Sequence, residues 1–162
     1  MASLLNSYLT FKIGEEVFGV NVEKVMEIRE YQPPKPMPQT MSFVTGVIEY
    51  RDEIIPLIDT GIKFGMSPVA IQQGTVIVIL QLISTTLGKT YRVGILVDSV
   101  SDVLECDDTA MKSIVDDYKP HYILSTCQSD EQLVFILNAD VVFSQKEIIG
   151  MLEMLNKLKK ES

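Results

Sequence analysis

The stretch GVIEYRDEIIPLID, residues 46–59, decides how this chain folds. Two apolar runs, Val47-Ile48 and Ile54-Ile55 with Leu57-Ile58, flank the charged segment Glu49-Tyr50-Arg51-Asp52. The runs are too short for helices and rich in β-branched residues, so they read as the strands of a hairpin with its charges at a tight turn. Pro56 donates no ladder bond and argues for an edge or a bulge at that point. The chain has three arginines in all, and Arg51 is placed on the tip of this hairpin.

The same alternation extends in both directions. YLTFKI (8–13) sets Leu9, Phe11 and Ile13 against Tyr8, Thr10 and Lys12, and VFGV (17–20) returns as its hairpin partner. In NVEKVMEIRE (21–30) the spacing of Val22, Val25 and Ile28 allows a helical turn, while the alternation from Val25 suits a strand equally well. YQPPKPMPQT (31–40) holds four of the seven prolines and reads as an extended or polyproline II connection. Residues 76–97 form a second hairpin around a polar turn at 84–90. Within it, LGKT (87–90) lacks the earlier glycine of a phosphate-binding loop and reads as a turn. VDSVSDVLEC (97–106) is a further strand, DDTAMKSIVDDYKPH (107–121) a polar connection, and EQLVFILNADVVF (131–143) contains another strand. Short connections between antiparallel neighbours favour barrels or a sandwich. The C-terminus is helical over about 144–160. Ser144 and Glu147 form a capping box, Ile148, Met151, Leu155 and Leu158 form one apolar stripe, and lysines fill the last turn.

At 162 residues, 46% of them hydrophobic, the chain is expected to be one domain, with a real core or two small cores sharing a wall. No apolar run approaches the roughly 20 residues of a membrane span. The N-terminus lacks a basic segment ahead of its apolar residues, so no secretory signal and a cytoplasmic location are expected. Net charge is −8. Residues 98–140 carry ten acidic side chains and two lysines, the opposite of what a phosphate backbone needs, and nucleic-acid binding is excluded on that ground.

No catalytic, metal or cofactor site emerges from the spacing. Cys106, Cys127 and the single His121 form no zinc or nucleophile motif, and the two cysteines read as reduced thiols. The pairs Asp107-Asp108 and Asp116-Asp117 lack the calcium-loop spacing and read as solvated loops. Such a module, β-rich and without catalytic chemistry, binds partners.

Four blocks now become diagnostic. YLTFKIGEEVFGVNVEKVMEIRE, FVTGVIEYRDEIIPLIDTGIKFG, VGILVDSVSDVLE and YILSTCQSDEQLVFILNADVVF stand in the order and spacing of the CheW-like domain family, which the chain resembles from about Tyr8 through the terminal helix. The resemblance implies two small, intertwined five-stranded β-barrels with a shared hydrophobic interface and a C-terminal helix. It implies a non-enzymatic adaptor, without cofactor, linking methyl-accepting chemoreceptor tips to the regulatory domain of the histidine kinase CheA. Receptor contact would use an apolar groove between the barrels. Self-association is left open.

The family's Asn-Leu-Arg-Gly hairpin matches Glu49, Tyr50, Arg51 and Asp52, which retains the arginine of the coupling surface. By the same resemblance Val25, Glu27 and Ile28 lie at the partner-binding surface of the first barrel, and Gly46 matches the glycine opening the hairpin strand. Asp52 and Ser125 replace family glycines, which bears on partner choice. Taken alone, Arg51 would be a solubilising residue and Val25 and Ile28 plain core. The alternatives are the corresponding domain of a CheV-type protein, which would need a truncated chain, an adaptor for a non-chemotaxis kinase, and a small-molecule-binding barrel or cryptic enzyme.

Overall fold

The structure, a computed structural model, describes residues 7–38, 41–106, 111–113, 121–129 and 132–161. Strands β1 (Ser7–Ile13) and β2 (Glu16–Asn21) form the first hairpin, and a single 3-10 turn (Val22–Lys24) leads into β3 (Val25–Glu30). Both readings of residues 21–30 therefore hold, one after the other. The deciding hairpin is β4 (Val44–Tyr50) with β5 (Glu53–Asp59), followed by the one-turn helix α1 (Thr60–Lys63). A long hairpin, β6 (Val76–Ser84) and β7 (Lys89–Val97), precedes β8 (Ser99–Glu105), the three-residue β9 (Met111–Ser113), β10 (Ile123–Ser129) and β11 (Gln132–Leu137). A 3-10 turn (Ala139–Val141) then leads to helix α2 (Gln145–Glu161).

The strands form two sheets, ordered β8-β1-β2-β11-β10-β9 and β3-β6-β7-β5-β4. Each has five full strands, β9 being a short addition to the first. The middle of the chain builds one sheet, while its two ends share the other through a parallel β2–β11 pairing, Val134 beside Val17 and Ile136 beside Gly19. This is the intertwined arrangement expected of the family.

Three apolar clusters follow from the strand faces. The run VIVILQLI is apolar on both faces because β6 is covered on both. Ile77 and Ile79 point into one barrel with Ile48, Tyr50, Ile55, Leu57 and Leu96. Val78, Leu80 and Leu82 face the shared wall with Phe11, Val20, Val93, Ile95 and the α2 residues Ile148 and Met151. Tyr8, Val17, Val134 and Ile136 fill the other barrel with Cys106 and Cys127. Asp140 fastens the two halves, accepting from Lys24 Nζ at 2.7 Å and from the Ile83 N–H at 2.9 Å.

Among the described residues neither ladder closes, and each gap is bridged by other means. The end strands of the second sheet, β3 and β4, are joined through Lys35, which exchanges both backbone hydrogen bonds with Val47 at 2.9 Å. In the first, Cys106 at the end of β8 and Cys127 on β10 are joined as a disulfide. This corrects the reading of these cysteines as reduced thiols. The curl of the sheet brings two buried positions, 21 residues apart in sequence, face to face inside one barrel. A second correction concerns residues 107–121. They are not all connection, since Met111–Ser113 pairs with β10 as a strand, and the acidic pairs 107–108 and 116–117 lie outside the described residues.

Pro56 sits where its missing N–H costs nothing. The β5–β7 ladder begins only at Leu57, and the bulge of β4 between Val44 and Gly46 lies opposite Leu57 and Ile58, next to the Val47–Pro56 pair. Residues 85–88 form the turn of the long hairpin, with Gly88 at φ 62° and the Leu87 N–H donating to Ser84 Oγ at 3.2 Å. The capping box is formed as expected: the Glu147 N–H donates to Ser144 Oγ at 3.1 Å, and the Ser144 N–H to Glu147 Oε1 at 2.8 Å. Ile148 and Met151 are buried, but Leu155 and Leu158 are only half-buried, so α2 docks chiefly by its first two turns.

Candidate partner-binding surface

The β4–β5 strands pair through Tyr50 and Glu53, leaving Arg51 and Asp52 as a two-residue turn. Both lie in the left-handed region, at φ 50° and 63°. A two-residue loop with both φ values positive has the hand that matches the twist of the flanking strands, which is why Asn-Gly and Asp-Gly dominate such turns. Here an arginine and an aspartate take the strained conformation. Asp52 is exposed, and its side chain makes no hydrogen bond among those found in the described residues.

Beneath the tip, Tyr50 is 1% exposed, its ring closing one mouth of the second barrel. All three arginines converge on it. The guanidinium carbons of Arg51, Arg29 and Arg92 lie 5.2, 5.6 and 5.7 Å from the ring centre. The quadrupole of an aromatic face attracts cations at such distances. Arg29 Nε donates to Glu27 Oε2 at 2.7 Å, and its Nη1 donates to the Glu49 carbonyl at 2.9 Å. Arg92 donates to Gln81 Oε1 and to Glu53 Oε2, each at 3.1 Å. Among the described residues Arg51 is the arginine with no carboxylate in ion-pair range, and it stands exposed. Among the described residues the buried Tyr50 hydroxyl has no hydrogen-bond partner.

The residues singled out in the sequence divide over this framework. Glu27 and Arg51 reach the same mouth without pairing: Glu27 bonds to Arg29, and Arg29 and Arg51 both lie over the Tyr50 ring. Val25 and Ile28 pair with Leu80 and Val78 and lie on the opposite face of β3. Val25 packs half-buried on the shared wall, and Ile28 is 45% exposed. Gly46 is internal: a Cβ there would collide with the Lys35 carbonyl, so glycine is what admits the Lys35–Val47 bridge. Sequence reasoning missed Arg29, Arg92 and Tyr50. The scarcity of arginine was the available signal, and it was read at one position out of three.

A second surface lies between the proline-rich segment and α2. Pro36, Met37, Pro38, Met41, Gly150, Met154 and Leu158 line an open groove of about 760 Å3, rimmed by Lys35, Lys146, Lys157, Glu147 and Glu153. Methionine is flexible and polarizable and recurs on adaptable binding surfaces. By contrast, the enclosed space between the two sheets is about 20 Å3, room for one water, walled by Phe11, Val20, Ile95 and Phe143. Two phenols near this wall stay above the ordinary phenol pKa. Burial raises Tyr91 first, the Asp140 and Glu147 carboxylates adding to it, and burial alone raises Tyr122. His121 is exposed, its Nε2 3.1 Å from the Val141 carbonyl. Among the described residues no three His, Cys, Asp or Glu side chains are placed to hold a metal ion, and no helix is long and apolar enough to cross a membrane.

Comparison with known proteins matches this arrangement. The profile of the CheW-like domain aligns with residues 7–147. The chemotaxis protein CheW of Rhizobium meliloti (strain 1021) is 30% identical over 142 residues, covering 86% of this chain and 88% of that protein. The chemotaxis protein CheW of Klebsiella aerogenes is 38% identical over 97 residues, covering 60% of this chain and 55% of that one. The crystal structure of the scaffolding protein TtCheW from Thermoanaerobacter tengcongensis superposes with a TM-score of 0.75 at 23% identity, covering 88% of this chain and 94% of that chain, and so shares the fold. With both sheets, the arginine-tipped hairpin and the terminal helix in place, the chain belongs to the CheW-like domain family.

Proposed function

We propose that this protein is a non-enzymatic, cytoplasmic adaptor of bacterial chemotaxis that couples methyl-accepting chemoreceptor tips to the regulatory domain of the histidine kinase CheA. The observation that carries the reading is Arg51, an exposed guanidinium without a carboxylate partner among the described residues, held on a strained turn over a buried ring. A planar fork of five donors that never deprotonates suits a carboxylate or carbonyl on another protein. Glu27 joins this mouth through Arg29, while Val25 and Ile28 offer the other face of β3, where Ile28 is exposed, and Gly46 supports the hairpin from beneath. The methionine-lined groove supplies a second, open apolar face for the receptor tip. A small-molecule barrel finds less support, because the space between the sheets fits only about one water.

The test is Arg51→Glu in calorimetric titrations against the purified CheA regulatory domain and against a receptor-tip fragment, with circular dichroism melts alongside. Loss of a desolvated interfacial charge pair costs about 2–5 kcal/mol, so binding to one of the two should weaken by about tenfold or more. An exposed arginine contributes little to folding, so the melt should not move. Unchanged affinity for both partners in a normally melting variant would return Arg51 to a solubilising role.

A further inference from the structure

The adaptor reading asks only for a charge at the hairpin tip, yet the fold commits every arginine it has to one tyrosine. Tyr50 stands where the family's usual residue is leucine, which offers no π face. A long arginine on an exposed turn would sample many rotamers, each lost on binding. Two features restrict Arg51. Its backbone is held left-handed at φ 50°, and its guanidinium rests 5.2 Å from the Tyr50 ring centre. Arg29 and Arg92 occupy other approaches to the same ring, and their hydrogen bonds to Glu27, the Glu49 carbonyl, Gln81 and Glu53 fix them there.

We propose that Tyr50, clamped by Arg29 and Arg92, is a positioning residue that presents Arg51 in one orientation to a single carboxylate on the partner. This rests on the reading that Arg51 meets the kinase regulatory domain. The charges at the mouth define the partner group. Glu27 and Glu53 already neutralise Arg29 and Arg92, while Glu49 and Asp52 stand exposed beside the tip. With Arg29 and Arg92 already neutralised, Arg51 offers a single cation, which suits one carboxylate oxygen pair.

A double-mutant cycle in calorimetric titrations against the CheA regulatory domain separates positioning from mere stability. In the wild-type background Arg51→Ala should weaken binding by about tenfold or more. In the Tyr50→Leu background the same substitution should weaken it by less than about threefold, because the unpositioned arginine no longer gives its full contact. Tyr50→Phe should bind within about twofold of wild type, since the ring supplies the platform and the buried hydroxyl has no partner among the described residues. A fold-only role for Tyr50 would lower the melting temperature and leave the Arg51→Ala effect intact, and that result overturns the proposal. Should Tyr50→Leu fail to fold, Arg92→Gln, at a half-exposed side chain, takes its place and should bring the Arg51→Ala effect below about fivefold. No effect of Arg51→Ala in the wild-type background would instead refute the adaptor site itself.

Discussion

The turn at the hairpin tip allows a sharp test, because two non-glycine residues sit where glycine is easiest. Asp52 is at φ 63° and exposed. An L-residue in the left-handed region suffers about 1–2 kcal/mol from its Cβ, with Asp and Asn at the low end because their short polar side chains bond locally. No such bond by the Asp52 side chain is found among the described residues, so little offsets the strain. Asp52→Gly should remove it, while the greater freedom of glycine in the unfolded chain returns roughly 0.5–1 kcal/mol of that gain. The net expectation is a stabilisation of about 0.5–1 kcal/mol, and for a domain of this length a melting temperature higher by about 1–4 °C. Asp52→Ala keeps the Cβ and loses the polar tolerance, and should lower the melting temperature. The assay is a set of circular dichroism melts and urea titrations on the three proteins, which should rank Gly, Asp, Ala from most to least stable. If Asp52→Gly melts below wild type, the carboxylate is pre-forming the turn and the strain argument is wrong.

Two further expectations concern what holds the barrels and the helix. Met151 is 2% exposed and Leu155 half-buried, so Met151→Ala should cost about 2–5 kcal/mol in urea unfolding and Leu155→Ala only about 1–2 kcal/mol. Equal costs would place the whole stripe in the core and contradict a helix docked by its first two turns. The Cys106–Cys127 disulfide closes a loop spanning 21 positions, and chain-entropy arguments give it about 3 kcal/mol. Urea unfolding with and without reductant measures this, and an unmoved midpoint would mean that the pair is not linked in solution.

The parts of the fold legible in the sequence are those fixed by neighbours in the chain. Two apolar runs around Arg51 and Asp52 permit little besides a hairpin, and seven apolar residues among the eight of 76–83 require a strand covered on both faces. Ser144 with Glu147 starts a helix whatever lies around it. Partnership is a different quantity. An alternating pattern says which face of a strand is buried but not which strand lies beside it, so the parallel pairing of β11 with β2 could not be read from either segment. The cysteines were misread for the same reason, since spacing of 21 residues says nothing until β8 and β10 curl toward each other. Glu27 and Arg51 were named separately. That both belong to one mouth depends on β3 and β4 being the two ends of one curled sheet, and Arg92 enters from a third strand.

The candidate surface exists because the second barrel cannot close by a ladder. Its end strands, β3 and β4, are connected by a segment in which Pro33, Pro34, Pro36 and Pro38 have no N–H to give. Lys35 is the non-proline residue between Pro34 and Pro36, and it is Lys35 that bonds in both directions to Val47. Gly46 lets the two backbones approach closely enough for that bridge. Two residues further along β4 no strand remains to meet the Glu49 carbonyl, and Arg29 reaches across from β3 to fill the vacancy. A cation drawn into a barrel mouth needs counter-charges and a face to rest on. Glu27 supplies the first and Tyr50 the second, and Arg92 with Glu53 repeats the arrangement from the other side. Two of the three arginines thus complete the barrel. Arg51, on the two-residue turn beyond both strands, is the one we propose meets a partner.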